Sequence, residues 1–596
     1  MEKELLVDHP VELPARRPRP RSRISKFLVG AGVAAVVLLA TVNSKLPFAP
    51  HLCRGRHGKD SPFGRFPRPD DPFHFIPCTD RTTPPALEDP DPRRSWVRLF
   101  DPDPTNWNWG NASAADHEGA TTIPIPPFSG RGIYLCGYLD VPLDYSNKSD
   151  ERIARLAVTK FQVSGLVLTG ATAGGKKSER TLVIEPGGPG GSGTSMAWRL
   201  SEEITNRLSD GQYDVLGWDP AASTPLYRPS PLEFVDAMSD SVFSACYKQH
   251  GDIPRFMTTA IVARDLEEIR KALAEDELTG YLVSYGTGIG QTYASMFPNS
   301  VGRMILDGTE YVRDHRLVGG FGWTALDNGT NAWHDGFLGE CLNAGPKHCA
   351  LAKQVSAESV TLKSLEKRMH SLISSLIERP LPGYTDFSGP SLITYSSLVG
   401  ALYGSMYNAK SWPALAQMLF ELEAGNATLA AAMLERVAWG YDPTLPSEEL
   451  GTLVICADSY DAKEPEGGMD WWEGLWQNMT ERSWIAGNSR FSNYWPEPAE
   501  VYRGDLNHTL KHPVLLIAET YDPATPLRNG RRLLNEMGKN ARLIAHHGYG
   551  HSSRDTSNCT DSIAKKFILE GVVPDEQETA CYANEKPYLY GVKKGM

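Results

Sequence analysis

One segment constrains this chain more than any other: an apolar run that breaks at a serine and restarts as a helical pattern. Residues 280–287 read Gly-Tyr-Leu-Val-Ser-Tyr-Gly-Thr, and Ser284 is the point of the break. A sharp turn between a strand and a helix lifts a serine hydroxyl clear of the backbone, which is how a nucleophile is presented. A further helical pattern around Ile261, Leu266 and Ile269 lies directly upstream. Strands that alternate with helices predict a mostly parallel sheet, with Ser284 just past the end of a buried strand.

Two later segments supply the partners that such a serine requires. Residues 514–517 (Val-Leu-Leu-Ile) predict a buried strand with Asp522 just past its end, and residues 542–545 (Arg-Leu-Ile-Ala) predict the strand that leads to His551. A serine hydroxyl is a weak nucleophile at neutral pH, so a histidine must take its proton and an acid must orient the imidazole. Two other histidines in the same segment compete for the role of base: His546 and His547.

A glycine-rich loop upstream predicts where an oxyanion would be stabilised. Residues 182–184 (Leu-Val-Ile) predict a strand, and residues 185–193 (Glu-Pro-Gly-Gly-Pro-Gly-Gly-Ser-Gly) follow it. Glycine lets the backbone approach a substrate closely and adopt positive φ. A tetrahedral oxyanion needs two preorganised donors. We expect one N–H from Gly188 in this loop and the other from Tyr285, the residue after the nucleophile.

In chain order, these segments resemble the α/β-hydrolases of peptidase family S33: the prolyl iminopeptidases and, more closely, the tripeptidyl-aminopeptidase-like secreted enzymes. The matching segments are Cys136 with residues 141–145, and residues 186–193, 214–220, 284–287, 306–308, 522–527 and 548–551. By this resemblance Ser284, Asp522 and His551 form the catalytic triad, in the chain order that the fold requires. It also implies an α/β-hydrolase fold with a mostly parallel sheet covered by helices on both faces, and substrates that are peptides or esters with a free amino end.

Two positions depart from the family pattern. Leu282 stands two residues before the serine, where the family usually has glycine, and its side chain is expected to crowd the following helix. Ala221 and Ala222 stand after Asp219-Pro220, where the family usually has Arg-Gly. That pair is expected near the mouth of the active site, so we predict a working hydrolase with shifted specificity.

Charge and cysteine spacing exclude other classes of function. The net charge is −12, although the first fifty residues hold eight basic and four acidic side chains. Nucleic-acid binding needs clustered positive charge, so an acidic body argues against it. The chain contains no Cys-x-x-Cys motif, and we expect neither a metal site nor a cofactor.

The N-terminus predicts insertion into a membrane. Residues 27–42 are uncharged and mostly apolar, and six basic residues lie just before them, between positions 16 and 26. Basic residues on one side favour a cytoplasmic N-terminus with the remainder translocated. We expect a single-pass signal anchor with a lumenal or extracellular catalytic domain. A cleaved signal peptide, which would make the protein secreted, is the alternative, although the polar leader of 26 residues is long for one.

Translocation predicts disulfides and glycans. Nine cysteines are present, and Cys341/Cys349 and Cys559/Cys581 are plausible local pairs. Six sequons are expected glycosylation sites: Asn111, Asn147, Asn328, Asn426, Asn478 and Asn507. A seventh sequon, at Asn558, is doubtful because Cys559 follows it directly.

These observations divide the chain into six parts. The predicted parts are a cytoplasmic basic tail (1–26), a transmembrane anchor (27–42), a Pro-rich stalk (43–95), the first part of the hydrolase core (96–310), a helical lid (311–510) and the C-terminal part of the core with the acid and the histidine (511–596).

The leading functional prediction is a serine hydrolase that releases N-terminal residues or short peptides through an acyl-enzyme intermediate. An esterase, lactonase or thioesterase that acts on a small metabolite in a biosynthetic pathway is the alternative. A catalytically silent binding protein on the same fold is a third hypothesis. The expected partners are a peptide or small ester substrate and the membrane, and the oligomeric state stays open.

Overall fold

The computed structural model describes residues 61–87, 89–111, 128, 130–168, 178–188, 191–219, 241, 243–317, 326–354, 359–386, 389–439, 448–459, 469–485 and 497–592. The predicted tail, the predicted anchor, the first part of the predicted stalk and the pair Ala221-Ala222 lie outside these residues. In the part of the chain that is described, no helix has the length and apolar character needed to cross a bilayer.

The strands form one large sheet and one hairpin. They are β1 (Ile76–Pro77), β2 (Ile133–Pro142), β3 (Ile153–Gln162), β4 (Thr181–Glu185), β5 (Asp214–Asp219), β6 (Leu278–Val283), β7 (Val301–Asp307), β8 (Leu381–Thr385), β9 (Gly389–Ile393), β10 (Val514–Tyr521), β11 (Ala541–Tyr549) and β12 (Glu578–Tyr582). The sheet has the order β1-β2-β3-β5-β4-β6-β7-β10-β11-β12, and β8 pairs only with β9. Within the large sheet, the pairings that follow β5 in this order are all parallel, whereas β1–β2, β2–β3 and β3–β5 are antiparallel. The predicted mostly parallel sheet is confirmed.

Helices follow most of the parallel strands. They are α1 (Pro92–Val97), α2 (Gly193–Ser209), α3 (Thr259–Ala272), α4 (Tyr285–Met296), α5 (Asn328–Asn331), α6 (Glu340–Ala344), α7 (Leu362–Glu378), α8 (Tyr395–Met406), α9 (Trp412–Glu423), α10 (Thr428–Trp439), α11 (Glu448–Asp458), α12 (Met469–Arg482), α13 (Leu527–Met537) and α14 (Asn558–Glu570). A π-helical segment, Ala332–Gly339, joins α5 to α6, and a 3-10 turn at Val312–Arg316 follows β7.

Successive side chains of a strand point to opposite sides of a sheet. In the central strands both sets of side chains are buried. Leu282, Leu306 and Leu516 pack on one face with apolar residues of α3, α4 and α13. Tyr281 and Ile305 pack on the other face with α2 and α14. This two-sided burial is typical of parallel sheets, and it leaves the carboxyl ends of the strands as the edge where loops can form a site.

The segment between β7 and β10 has its own apolar core. Side chains from the π-helical segment and from helices α7 to α10 form a cluster that includes Phe337, Leu402, Trp412 and Leu419. This agrees with the predicted helical lid. The hairpin of β8 and β9 was missed, since its two short strands carry Pro382 and Pro390 and show no apolar alternation.

The predicted stalk over residues 43–95 is wrong from residue 61 onwards. Phe63, Phe66 and Phe75 are buried in the main core, and β1 pairs with β2. A disulfide between Cys78 and Cys136 ties this segment to β2. The Pro- and Asp-rich composition suggested a stalk, but aromatic side chains spaced among these residues pack onto the sheet.

Both predicted disulfides are confirmed. Cys341 is bonded to Cys349, and Cys559 is bonded to Cys581. With the Cys78–Cys136 bond, three disulfides are present in the described residues, which is typical of proteins that fold in an oxidising compartment.

Candidate active site

Ser284 occupies a sharp turn between β6 and α4. Its backbone has φ 59° and ψ −125°, a conformation that residues other than glycine rarely adopt. Such backbone strain costs on the order of 1–3 kcal/mol and is found where the surrounding structure holds it for function. Thr287 N–H and Thr287 Oγ1 both donate to the Ser284 carbonyl, at 2.8 and 2.6 Å. The Ser284 hydroxyl makes no cap bond to α4, although this residue is the N-cap.

Leu282 is accommodated beneath this turn. Its side chain is fully buried, and its Cδ1 lies 2.8 Å from the place where a Cβ on Gly290 would be. The glycine in the second turn of α4 therefore provides the room that a glycine at position 282 would otherwise provide. The expectation that Leu282 crowds the following helix is wrong for this reason.

The glycine loop lies directly against the serine turn. Gly187 has φ +89°, and a Cβ built on it would lie 2.7 Å from Ser284 Cβ and 2.9 Å from Tyr285 N. Only glycine fits there without moving the backbone. Gly188, with φ +124°, is the next residue. Tyr285 is the first residue of α4, so its N–H has no carbonyl acceptor within the helix. The two predicted oxyanion donors are thus on adjacent segments.

Asp522 and His551 form a buried pair. His551 Nδ1 lies 2.9 and 2.8 Å from the two carboxylate oxygens of Asp522, and neither side chain is more than 3% exposed. Asp522 also accepts N–H bonds from Ala524, Thr525 and Ser552 at 2.7–3.0 Å. Burial alone would raise the pKa of Asp522, but the charge and hydrogen bond of His551 and the backbone donors outweigh it and lower this pKa. The carboxylate is therefore ionised when it orients the imidazole.

Asp307 connects the serine turn to the histidine loop. Its carbonyl accepts the Ser284 N–H at 2.9 Å, and its Oδ1 accepts the Ser553 N–H at 2.9 Å. Tyr281 donates its hydroxyl to Asp307 Oδ2 at 2.5 Å. Because Ser553 is two residues after His551, this one aspartate fixes both segments at the same edge of the sheet.

The competing histidines lie elsewhere. His546 is fully buried, its Nδ1 is 3.0 Å from Thr560 Oγ1, and burial lowers its pKa to about 4. His547 is half-buried and stacks on Tyr582 with a ring separation of 4.7 Å. Of the three histidines, His551 is the one hydrogen-bonded to Asp522.

Three further residues contact this pair, and the sequence analysis predicted none of these contacts. Thr525 Oγ1 donates to Asp522 Oδ2 at 2.9 Å and lies 3.3 Å from His551 Nδ1. Tyr407 of the lid accepts the His551 N–H through its carbonyl at 3.0 Å, and its ring lies 4.9 Å from the imidazole. Of these contacts, the sequence could have suggested only the one made by Thr525, from its position in a turn three residues after the acid.

Asn328 is the third residue that contacts the pair, and its position contradicts the prediction that it is glycosylated. Its Nδ2 donates to the carbonyls of Thr520 and Asp522 at 3.1 and 2.7 Å, and the residue is only 6% exposed. Both amide hydrogens are used and the site is enclosed, so the predicted glycosylation of Asn328 is wrong. The other five predicted sites are exposed and stay predictions: Asn111, Asn147, Asn426, Asn478 and Asn507.

Comparison with known proteins agrees with this architecture. Residues 478–581, which include Asp522 and His551, match the family described as TAP-like protein. The chain has the α/β-hydrolase fold. The hydrolase is 26% identical over 480 residues to the serine protease Hip1 of Mycobacterium tuberculosis, a match that covers 74% of this chain and 86% of that protein.

Two other relatives extend the range of named activities. The hydrolase is 25% identical over 501 residues to a tripeptidyl aminopeptidase of Streptomyces lividans, covering 76% of this chain and 84% of that protein. It is 24% identical over 498 residues to carboxylesterase B of Mycobacterium tuberculosis, covering 74% and 85%. The predicted enzyme class, a serine hydrolase similar to tripeptidyl-aminopeptidase-like proteins, is confirmed.

Proposed function

We propose that the protein cleaves acyl bonds with Ser284 as nucleophile, His551 as general base and acid, and Asp522 as the group that orients the imidazole. The observation that carries this proposal is the pair of short contacts between His551 Nδ1 and both oxygens of buried Asp522. An Nδ1–H directed at a carboxylate leaves Nε2 without a proton, which is the form that can accept one from serine. The turn that carries Ser284 and the glycine loop lie at the same sheet edge.

The steps follow from these roles. Ser284 Oγ attacks the scissile carbonyl carbon while His551 Nε2 takes the hydroxyl proton, and the carbonyl electrons move onto oxygen. The N–H groups of Gly188 and Tyr285 stabilise this oxyanion. When the carbonyl re-forms, the leaving amine or alcohol departs with the proton from His551 and an acyl-Ser284 remains. Water then attacks the acyl carbon while His551 takes its proton, and the second tetrahedral intermediate collapses to release the acid as His551 returns the proton to Ser284 Oγ.

We propose peptides with a free amino end as substrates, with release of N-terminal residues or short peptides. Support comes from the relatives named serine protease and tripeptidyl aminopeptidase. Hydrolysis of a small ester is the second candidate, since a relative of similar identity is named carboxylesterase B. The Ala221-Ala222 departure also favours an altered substrate pocket.

Matched substrates separate these candidates. The purified protein is assayed with a tripeptidyl anilide, the same anilide acetylated at its amino end, and a simple acyl ester, each with Ser284→Ala as the control. We expect the free-amine anilide to give the highest kcat/KM and acetylation to lower it strongly. Equal rates for the two anilides, or a far faster ester, would reject the exopeptidase in favour of the esterase. Turnover by Ser284→Ala would reject the nucleophile.

We further propose that the catalytic body folds in the secretory lumen or outside the cell, held by an anchor at residues 27–42. The three disulfides support the compartment. Protease treatment of sealed membrane vesicles is expected to remove only a short N-terminal tail. Digestion of the hydrolase body in sealed vesicles would contradict this topology.

A further inference from the structure

A buried carboxyl group lies beneath the glycine loop and has no role in the steps above. Glu185 is the last residue of β4 and directly precedes Pro186 and Gly187. Its side chain is only 3% exposed. Glu185 Oε2 accepts the Gly187 N–H at 2.8 Å. The carboxyl group therefore holds the first turn of the loop that carries Gly188.

The same oxygen contacts the helix on the other side of the site. A Cβ built on Gly286 would overlap Glu185 Oε2, so the carboxyl group fills the space left by this glycine in the first turn of α4. Glu185 is also the register partner of Leu282 in the neighbouring strand β6. A single side chain thus touches the segment before Gly188 and the residue after Tyr285.

We propose that Glu185 is a positioning residue for the oxyanion hole, where it clamps the Gly187 turn against the first turn of α4 and so sets the separation of the two N–H donors. This inference rests on the roles proposed above for Gly188 and Tyr285. Donors of this kind act when they lie about 2.7–3.1 Å from the oxyanion. A displacement of about 1 Å can lower the rate on the order of 100-fold.

The charge state of Glu185 matters because the oxyanion is negative. Burial is the main cause that raises the pKa of Glu185 to about 8; the Gly187 hydrogen bond opposes this shift, and the negative charges of Glu310 and Asp219 add to it. The other titratable side chains on this side include Tyr285, His315, which lies 3.1 Å from Glu310, and Asp458, which lies 3.3 Å from His315. At neutral pH the clamp is an uncharged acid. Above about pH 8 a carboxylate beside the oxyanion would oppose the transition state.

The other end of β4 offers a matched control. Glu275 Oε1 accepts the Thr181 N–H at 2.8 Å, and burial raises the pKa of Glu275 as well. Thr181 begins the strand that Glu185 ends, so this carboxyl group lies at the amino edge of the sheet. Glu275 has the same local chemistry without contact to the oxyanion donors.

The test compares Glu185→Gln and Glu185→Ala with Glu275→Gln and Glu275→Ala. For each variant, kcat and KM are measured from pH 6 to 10 on the best substrate, together with Tm. We expect Glu185→Ala to lose about 100-fold in kcat with little change in KM. We expect the wild-type kcat to decline above about pH 8, and we expect Glu185→Gln, which stays neutral, to keep its kcat at pH 7 and to show no such decline. The Glu275 variants should keep the wild-type profile.

Two results would overturn the inference. One is a Glu185→Ala kcat that matches Glu275→Ala at equal Tm. The other is a Glu185→Gln enzyme with an unchanged alkaline decline, and this measurement decides the matter if Glu185→Ala does not fold. Ser284→Ala separates this inference from the proposed function: turnover by that variant would refute the catalytic roles, whereas an inactive Ser284→Ala beside a fully active Glu185→Ala would refute only the clamp.

Discussion

Asp522→Asn is expected to remove most of the activity while leaving the fold intact. Asp522 Oδ1 accepts the N–H groups of Ala524 and Thr525, so the single oxygen of an asparagine will keep that place. The amide nitrogen then takes the place of Oδ2, the oxygen that lies 2.8 Å from His551 Nδ1 in the wild type. An N–H directed at Nδ1 forces the proton onto Nε2, and that tautomer cannot accept the proton of Ser284.

The magnitude follows from the loss of the base. The wrong tautomer in a serine hydrolase triad lowers kcat about 10⁴-fold, which corresponds to about 5.4 kcal/mol of transition-state free energy. Oδ2 also accepts the Ser552 N–H at 3.0 Å, and this bond is lost when a donor takes its place. An orphaned buried donor costs about 1–3 kcal/mol, so Tm should fall as well.

Steady-state kinetics at pH 7 on an activated ester measure this effect, with Asp555→Asn as the matched control. Asp555 is likewise buried, and its Oδ2 accepts the Tyr549 N–H at 3.0 Å, but no bond joins it to His551 in the described residues. Asp555→Asn should therefore lose stability and keep kcat. If Asp522→Asn loses less than about tenfold in kcat, the orientation of His551 by Asp522 is not what drives catalysis.

Three further outcomes are expected. Ser284→Ala abolishes turnover and labelling by a fluorophosphonate, and full labelling of this variant would reject the nucleophile. His551→Ala is nearly as damaging, whereas His547→Ala is mild in the same kinetic assay, as is His546→Ala once its stability is allowed for; an essential His547 beside a dispensable His551 would reject the assignment of the base. Burial alone would lower the pKa of His315, but Glu310 and Asp458 outweigh it and raise this pKa to about 10. The protonated His315 therefore stabilises the folded state fully below about pH 6.5, and this contribution is lost as the pH rises through 10. The fall in Tm between pH 7 and 10 should shrink in His315→Gln.

The sequence predicted the features that depend on local pattern and chain order. Strands β6, β10 and β11 are apolar runs that end one or two residues before Ser284, Asp522 and His551, so the positions of these three proposed catalytic residues could be predicted from the sequence. Residues 61–95 were misjudged because their composition is that of a stalk, while their aromatic side chains are buried against β2. Asn328 was misjudged for the opposite reason: its sequon is local, but its two bonds are to residues almost 200 positions away.

The glycines of α4 show why the surroundings of the site were beyond sequence reasoning. Each glycine inside a helix costs about 1 kcal/mol relative to alanine, and this short helix has three in its first two turns. In the structure each one faces a different buried group: Gly286 contacts Glu185, Gly288 contacts Glu310, and Gly290 contacts Leu282 and Leu306. The helix gives up intrinsic stability so that two carboxyl groups and the elbow strand can approach its backbone. The spacing of these glycines is visible in the sequence, but the partners come from β4, β6, β7 and the segment that follows β7, and only the folded sheet brings them together.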